Sequence, residues 1–290
     1  METTNEQVKN EHSLSFAIWS VVLIYFLRQI IRPQIMSGFS LYLNPPMAMT
    51  ADGLIRAFVG IISILILGRI IGSNGFKFAF TTKGFKKGMF AQIGLIVSIF
   101  FMPLIVLSIP QAQLDFSNTV PHLLPFVVFH IGNAVWEDVM WNGVLMTGVL
   151  ITYSSTWNEP PTIRKRVKFM LICSLAFGMV HFSGGGILHI FSAAVAGAAF
   201  GAAYIYSKNL LSCFITHFSI NYVVSMIQAM LYDTELVILF VQRFFIVNIL
   251  WGIVIMVPFA IYLTIKAEPF WSHDLIELAR ANEENKPKSP

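Results

Sequence analysis

Eight apolar stretches, most of them long enough to cross a bilayer as a helix, limit what this chain can fold into. They run over residues 14–31, 54–71, 89–109, 122–152, 168–182, 187–206, 210–231 and 236–266. Between them lie short segments carrying Pro, Gly or clustered charge. Of the 290 residues, 56% are hydrophobic and 12% charged, so no stretch of ordinary composition is long enough for a soluble domain. The expected fold is all-α: a polytopic membrane protein of about eight transmembrane helices. It forms one membrane domain over 14–266, with an N-terminal tail over 1–13 and a C-terminal tail over 267–290.

Basic residues predict its orientation. Lys77, Lys83, Lys86 and Lys87 share one inter-helix segment, Arg164, Lys165, Arg166 and Lys168 another, and Lys208 a third. With Lys9 and with Lys266, Arg280, Lys286 and Lys288, all fall on one side if there are eight crossings, whereas Arg32 lies opposite. The positive-inside rule then makes both termini cytoplasmic. The net charge of +4 belongs to these clusters, which face anionic lipid and not nucleic acid. The start of the chain, polar and of mixed charge, lacks the marks of a cleaved signal peptide, so the first apolar stretch is expected to stay. Cys173 and Cys213 lie inside apolar stretches and read as small hydrophobes. Residues 192–203, rich in Ala with Gly197 and Gly201 four apart, read as a close-packing helix face. Residues 272–285 have the pattern of a short interfacial amphipathic helix.

Against this background two adjacent carboxylates stand out. Glu137 and Asp138 occupy the middle of the fourth stretch, with no cation within a turn. Carboxylates at membrane depth are costly and mark functional sites. Neighbours on a helix point about 100° apart, so one can face a cavity while the other braces the helix. Asp138 and Asn142 are four apart and can bond along one face; His130, Asn133 and Glu137 form a second stripe. Burial without a cation suits a carboxyl group to proton transfer near neutral pH, although a purely structural or proton-coupled carboxylate fits the same stretch. Phe177 and His181 lie one turn apart at the end of the fifth stretch, and His217 and Asn221 share a face of the seventh. Depths counted from the cytoplasmic ends are compatible, so a tilted seventh helix would bring the three groups together.

Glu-Asp-x-x-x-Asn-Gly from Glu137, Phe-x-x-x-His from Phe177 and His-x-x-x-Asn from His217, in this order on successive membrane helices, resemble the CPBP (CAAX protease and bacteriocin-processing, or Abi) family. The resemblance covers about residues 123–230. It implies an intramembrane endopeptidase in which Glu137 and His181 activate a water and His217 and Asn221 stabilise the oxyanion. Asp138, Asn142 and Phe177 would be supporting residues, and the partners would be membrane lipid and a peptide or membrane-protein substrate. A bacterial plasma membrane is the expected location. No cofactor is expected, with zinc held by Glu137, His181 and His217 as the alternative. The family pattern is Glu-Glu-x-x-x-Arg, so Asp138 and Asn142 depart from it together. Either a charged brace has become a hydrogen-bonded one, with Arg243 as a candidate replacement cation, or the chain is a non-catalytic regulator or bacteriocin-immunity protein on the same scaffold.

Overall fold

The computed structural model describes residues 15–26, 33, 36, 43–71, 74–152, 162–181, 186–231 and 233–267, the side chains of 150–152 excepted. Both tails, including the amphipathic pattern at 272–285, lie outside the described residues. The described chain is helical, with one isolated antiparallel bridge between Leu114 and Leu231.

In chain order the helices are α1 (Ser15–Phe26), α2 (Pro45–Ile71), α3 (Gly75–Ala79), α4 (Phe85–Ala91), α5 (Ile93–Leu107), α6 (Leu123–Asp138), α7 (Thr147–Thr152) and α8 (Ile163–Met179). They continue with α9 (Gly186–Ser207), α10 (Leu210–Met230), α11 (Thr234–Trp251) and α12 (Val257–Lys266). A 3₁₀ turn at Phe116–His122 leads into α6, a π-helical segment at Val139–Met146 joins α6 to α7, and a second at Gly252–Met256 joins α11 to α12. The described residues of the eight apolar stretches lie mostly on these helices. Five continuous helices are long and apolar enough to cross a membrane: Pro45–Ile71, Phe116–Val149, Gly186–Ser207, Leu210–Met230 and Thr234–Lys266. A sixth span results if α4 and α5, bent by 54° at Gln92, count as one. The protein is thus multi-pass. By length, α1 and α8 fall short of that standard among the described residues.

Two expected boundaries are corrected. The second span was expected to begin at residue 54, after a loop containing Pro45 and Pro46, but α2 begins at Pro45. A proline in the first turn costs no hydrogen bond, because that N–H has no helical partner, and Asn44 Oδ1 accepts from the Met47 N–H at 3.0 Å. Asp52 and Arg56 thereby enter the helix. Similarly α8 begins at Ile163, capped by Thr162. Arg166 is therefore not a loop charge: it is buried and donates to the Ala267 carbonyl at 2.5 Å, tying α8 to the end of α12.

Helix α9 lies at the centre, packed against α4, α8, α11 and α12. Its small residues fit that position. A Cβ on Gly197 would stand 3.0 Å from the Phe177 ring and 3.3 Å from Ser174 Cα, so glycine lets α8 and α9 cross closely. The α2–α6 contact is closer still, since a Cβ on Gly132 would lie 2.3 Å from the Gly53 carbonyl oxygen. At the start of α10, Asn209 fixes the register. Its Oδ1 accepts from the Ser212 N–H at 2.7 Å, while Nδ2 donates to the carbonyls of Thr81 and Lys83 at 2.7 and 2.9 Å. Two turns later on the same helix comes His217.

Candidate active site

Three helices deliver the polar residues to one place. Glu137 is the penultimate residue of α6, two positions before the π-helical segment, and is 3% exposed. A π turn widens the helix and occurs mostly at functional sites; here it begins beside the carboxylate pair. His181 lies just beyond α8, where carbonyls of the last turn lack helical partners. The Phe177 carbonyl takes up this role, standing 2.7 Å from His181 Nδ1. A carbonyl can only accept, so Nδ1 carries the proton, and in the neutral ring Nε2 is left as an acceptor. The four-residue spacing of Phe177 and His181 thus fixes a tautomer.

Nε2 of His181 lies 3.8 Å from Glu137 Oε2. Nε2 of His217 lies 3.5 Å from the same oxygen. The opposite nitrogen of His217, Nδ1, is 3.3 Å from Asp138 Oδ2, and Asp138 Oδ1 accepts from Asn142 Nδ2 at 3.1 Å. The two neighbouring carboxylates have separate surroundings: Glu137 lies between two imidazole Nε2 atoms, and Asp138 is shared between His217 and Asn142. Aromatic rings hold His217 in place, with Phe200 stacked on it at 5.1 Å and Phe177 edge-on at 6.4 Å. Trp141 packs edge-on against Phe177 at 6.0 Å.

Glu137, His181, His217, Phe177 and Asn221 all line a cavity of about 340 Å³, together with His130 and Asn133. That size lies at the low end of the range for ligand sites, roughly 300–1,000 Å³. It suits a short length of chain. The stripe His130–Asn133–Glu137 faces the cavity as the spacing predicts, with His130 Nε2 held by Ser225 Oγ at 2.8 Å. Among the described residues no group of three or more His, Cys, Asp or Glu is arranged to hold a metal ion.

The replacement cation is not Arg243. Its Nη1 donates to the Ser108 carbonyl at 2.5 Å and to the Ser108 hydroxyl at 2.7 Å, at the end of α5. A buried cation does approach from α2. Arg56 pairs with Asp52 at 3.2 Å, donates to Asn133 Oδ1, one turn before Glu137, and lies 4.3 Å over the Phe129 ring. Sequence reasoning missed this pair, although the four-residue spacing of Asp52 and Arg56 at the edge of an apolar stretch was the signal for it. It also missed His189, Ser192 and Asn248, which line the far wall of the cavity.

Residues 119–223 match a family model described as type II CAAX prenyl endopeptidase Rce1-like. The matched segment covers little more than a third of the chain. It contains every residue of the three motifs, and the match bears out the resemblance to CAAX-type endopeptidases read from those motifs. At the level of the family it supports a membrane-embedded peptidase. No curated protein and no solved structure matches the chain.

Proposed function

We propose that this protein is an intramembrane endopeptidase of the CAAX-protease type, with Glu137 as the base that activates water. The observation that carries this reading is the approach of two Nε2 atoms, from His181 and His217, to one carboxylate oxygen of Glu137 within 3.5–3.8 Å, on the wall of a cavity. General bases must lie within hydrogen-bond reach of the proton they remove, directly or through one water. A water between Glu137 and His181 satisfies that condition on both sides.

In the proposed reaction Glu137 takes a proton from this water as its oxygen attacks the scissile carbonyl, and His181 Nε2 accepts the water's second hydrogen bond. Charge then builds on the carbonyl oxygen. His217 meets it as an imidazolium: Nδ1–H is held by the Asp138 carboxylate, which stabilises the cation and leaves Nε2–H to donate. Asn221, one turn further along α10 and on the same cavity wall, supplies a second donor. Collapse of the tetrahedral intermediate breaks the C–N bond, and the proton held by Glu137 passes to the leaving amine. Water and peptide are consumed, acid and amine released. Asn142 holds Asp138 by a hydrogen bond where the family has an arginine; in this reading the neutral amide suffices as a brace.

We further propose the topology the basic residues imply: eight crossings of a plasma membrane by a single domain over 14–266, both termini cytoplasmic, with lipid and a peptide or membrane-protein substrate as partners. The experiment uses the full chain reconstituted in nanodiscs, with Glu137→Ala and His181→Ala, against prenylated and unmodified peptides. Both variants should fold and lose cleavage. Cleavage retained by both variants would overturn the roles given to Glu137 and His181, and a wild-type chain that cleaves none of the peptides would leave a non-catalytic regulator or immunity protein on this scaffold.

A further inference from the structure

The cavity has a second polar wall, opposite in kind to the first and not used by the chemistry above. Along α9, His189, Ser192, Ala193 and Ala196 present one face to it, and α11 contributes Phe245 and Asn248. This wall carries no carboxylate, Lys or Arg side chain. Asn248 is 5% exposed, and its amide nitrogen is committed: Nδ2 lies 2.7 Å from Ser192 Oγ and 3.4 Å from the Ser192 carbonyl. A carbonyl only accepts, so the amide orientation is fixed and Oδ1 is turned away from Ser192. That Oδ1 is buried without a hydrogen-bond partner, and so is Nδ1 of His189. Buried polar atoms in folded proteins nearly always have partners, and each exception calls for a reason.

The two residues join the same pair of helices. His189 stacks flat on Phe245, 4.8 Å between centroids and 9° between planes. Phe245 precedes Asn248 by three residues, and His189 precedes Ser192 by three, so the stack and the Asn248–Ser192 bond are adjacent rungs between the same two helices. The His189 ring also meets His181 edge-on at 5.0 Å, which joins this wall to the Glu137 cluster. An amide oxygen that can accept and a ring nitrogen that can donate, on two residues of one cavity wall, are together complementary to a peptide group, which offers one N–H and one C=O. Charged side chains find no partner here, and a purely hydrocarbon occupant would leave both atoms unsatisfied.

We propose that Asn248 and His189 form a subsite that binds a backbone peptide group of an extended substrate beside the Glu137 cluster, its N–H donating to Asn248 Oδ1 and its C=O accepting from His189. This subsite rests on the peptidase reading for its context, since it would set which bond of the peptide reaches Glu137. Both residues are positioning groups. They take no part in bond making.

The test is binding, so that it does not depend on turnover. The full chain carrying Glu137→Gln is titrated in nanodiscs with a farnesylated CAAX peptide and with a series of esters, each replacing one peptide N–H by oxygen. Asn248→Leu keeps the shape and removes the acceptor; His189→Phe keeps the stack on Phe245 and removes the ring nitrogens, and serves if the first variant fails to fold. Each variant should weaken binding about tenfold, the scale of one hydrogen bond. One ester should weaken binding to the Glu137→Gln chain by a similar factor and have no further effect in Asn248→Leu. If every ester acts equally in both chains, or the peptide does not bind at all, the subsite is overturned. If the coupling is found but the wild-type chain cleaves nothing, the subsite stands and the peptidase reading falls.

Discussion

Two buried carboxylate sites lie close together in this protein and have opposite partners. On α2, Asp52 pairs with Arg56 at 3.2 Å, and the guanidinium is further held by Asn133 and the Phe129 ring. Arg56 is always charged, so that carboxylate has a permanent counter-ion one turn away. At the end of α6, Glu137 faces imidazoles that gain and lose protons, and it borders a cavity. Burial does not separate the two sites: Asp52 and Glu137 are each 3% exposed. What separates them is whether the partner's charge is fixed. A carboxylate with a fixed counter-ion holds helices together, and one with titratable partners can move a proton.

The sharpest way to break this comparison is Glu137→Gln. The amide keeps the shape and removes the base, so the turnover number should fall by about 10⁴ while thermal unfolding in detergent barely moves. A variant that cleaves normally would put both carboxylates in the structural class. Substitution at the α2 pair should do the reverse. Arg56→Met leaves Asp52 buried without its cation and should destabilise the fold by about 3–5 kcal/mol, whereas the double change Asp52→Leu with Arg56→Met should recover most of the loss. Unfolding measured in detergent reads both. If Arg56→Met instead folds as stably as wild type and lowers only turnover, the α2 pair belongs to the site.

How much of this was legible in the sequence follows from spacing. Glu137, His181 and His217 could be brought together because each motif places two residues one helical turn apart and the apolar lengths set their depth. The α2 pair escaped because Pro45 and Pro46 read as loop, although prolines are tolerated in a first turn, so Asp52 fell outside the expected helix. His189 and Asn248 escaped for a different reason: they lie on different helices, far apart in sequence, and only the α9–α11 contacts bring them to the same cavity wall. The π-helical segment after Asp138 was not legible, since Asn142 and Gly143 weaken an α-helix without specifying a wider turn. Arg166 resembled a topogenic loop charge because nothing local reveals that the Ala267 carbonyl, 101 positions away, receives it.

Asp138 offers an intermediate case between the two sites, because it pairs with a titratable His217 but is shielded by Asn142. Asp138→Asn keeps a hydrogen-bonding group beside both neighbours and removes the charge that stabilises the imidazolium. Loss of one charge-assisted bond of this kind should lower turnover by about 10²–10³ with little change in peptide affinity. A change confined to thermal stability would place Asp138 with Asp52 as a structural group.

The smallest effect is expected at Asn142, where this chain departs from the motif pattern it resembles. Its amide donates one neutral-to-charged bond to Asp138 at 3.1 Å. Asn142→Ala should therefore lower turnover only about three- to tenfold, the net worth of one such bond. Asn142→Arg tests the same contact from the other direction. The residue lies 6% exposed beside Met146 and Phe200 at a small internal void, so a longer side chain must displace neighbours before it can reach Asp138. If the arginine nevertheless raises turnover, the hydrogen-bonded brace is a weakened form of the charged one. If it destabilises the fold without raising turnover, the surrounding core has been rebuilt around the amide, and Asn142 is this protein's own solution to holding Asp138 against His217.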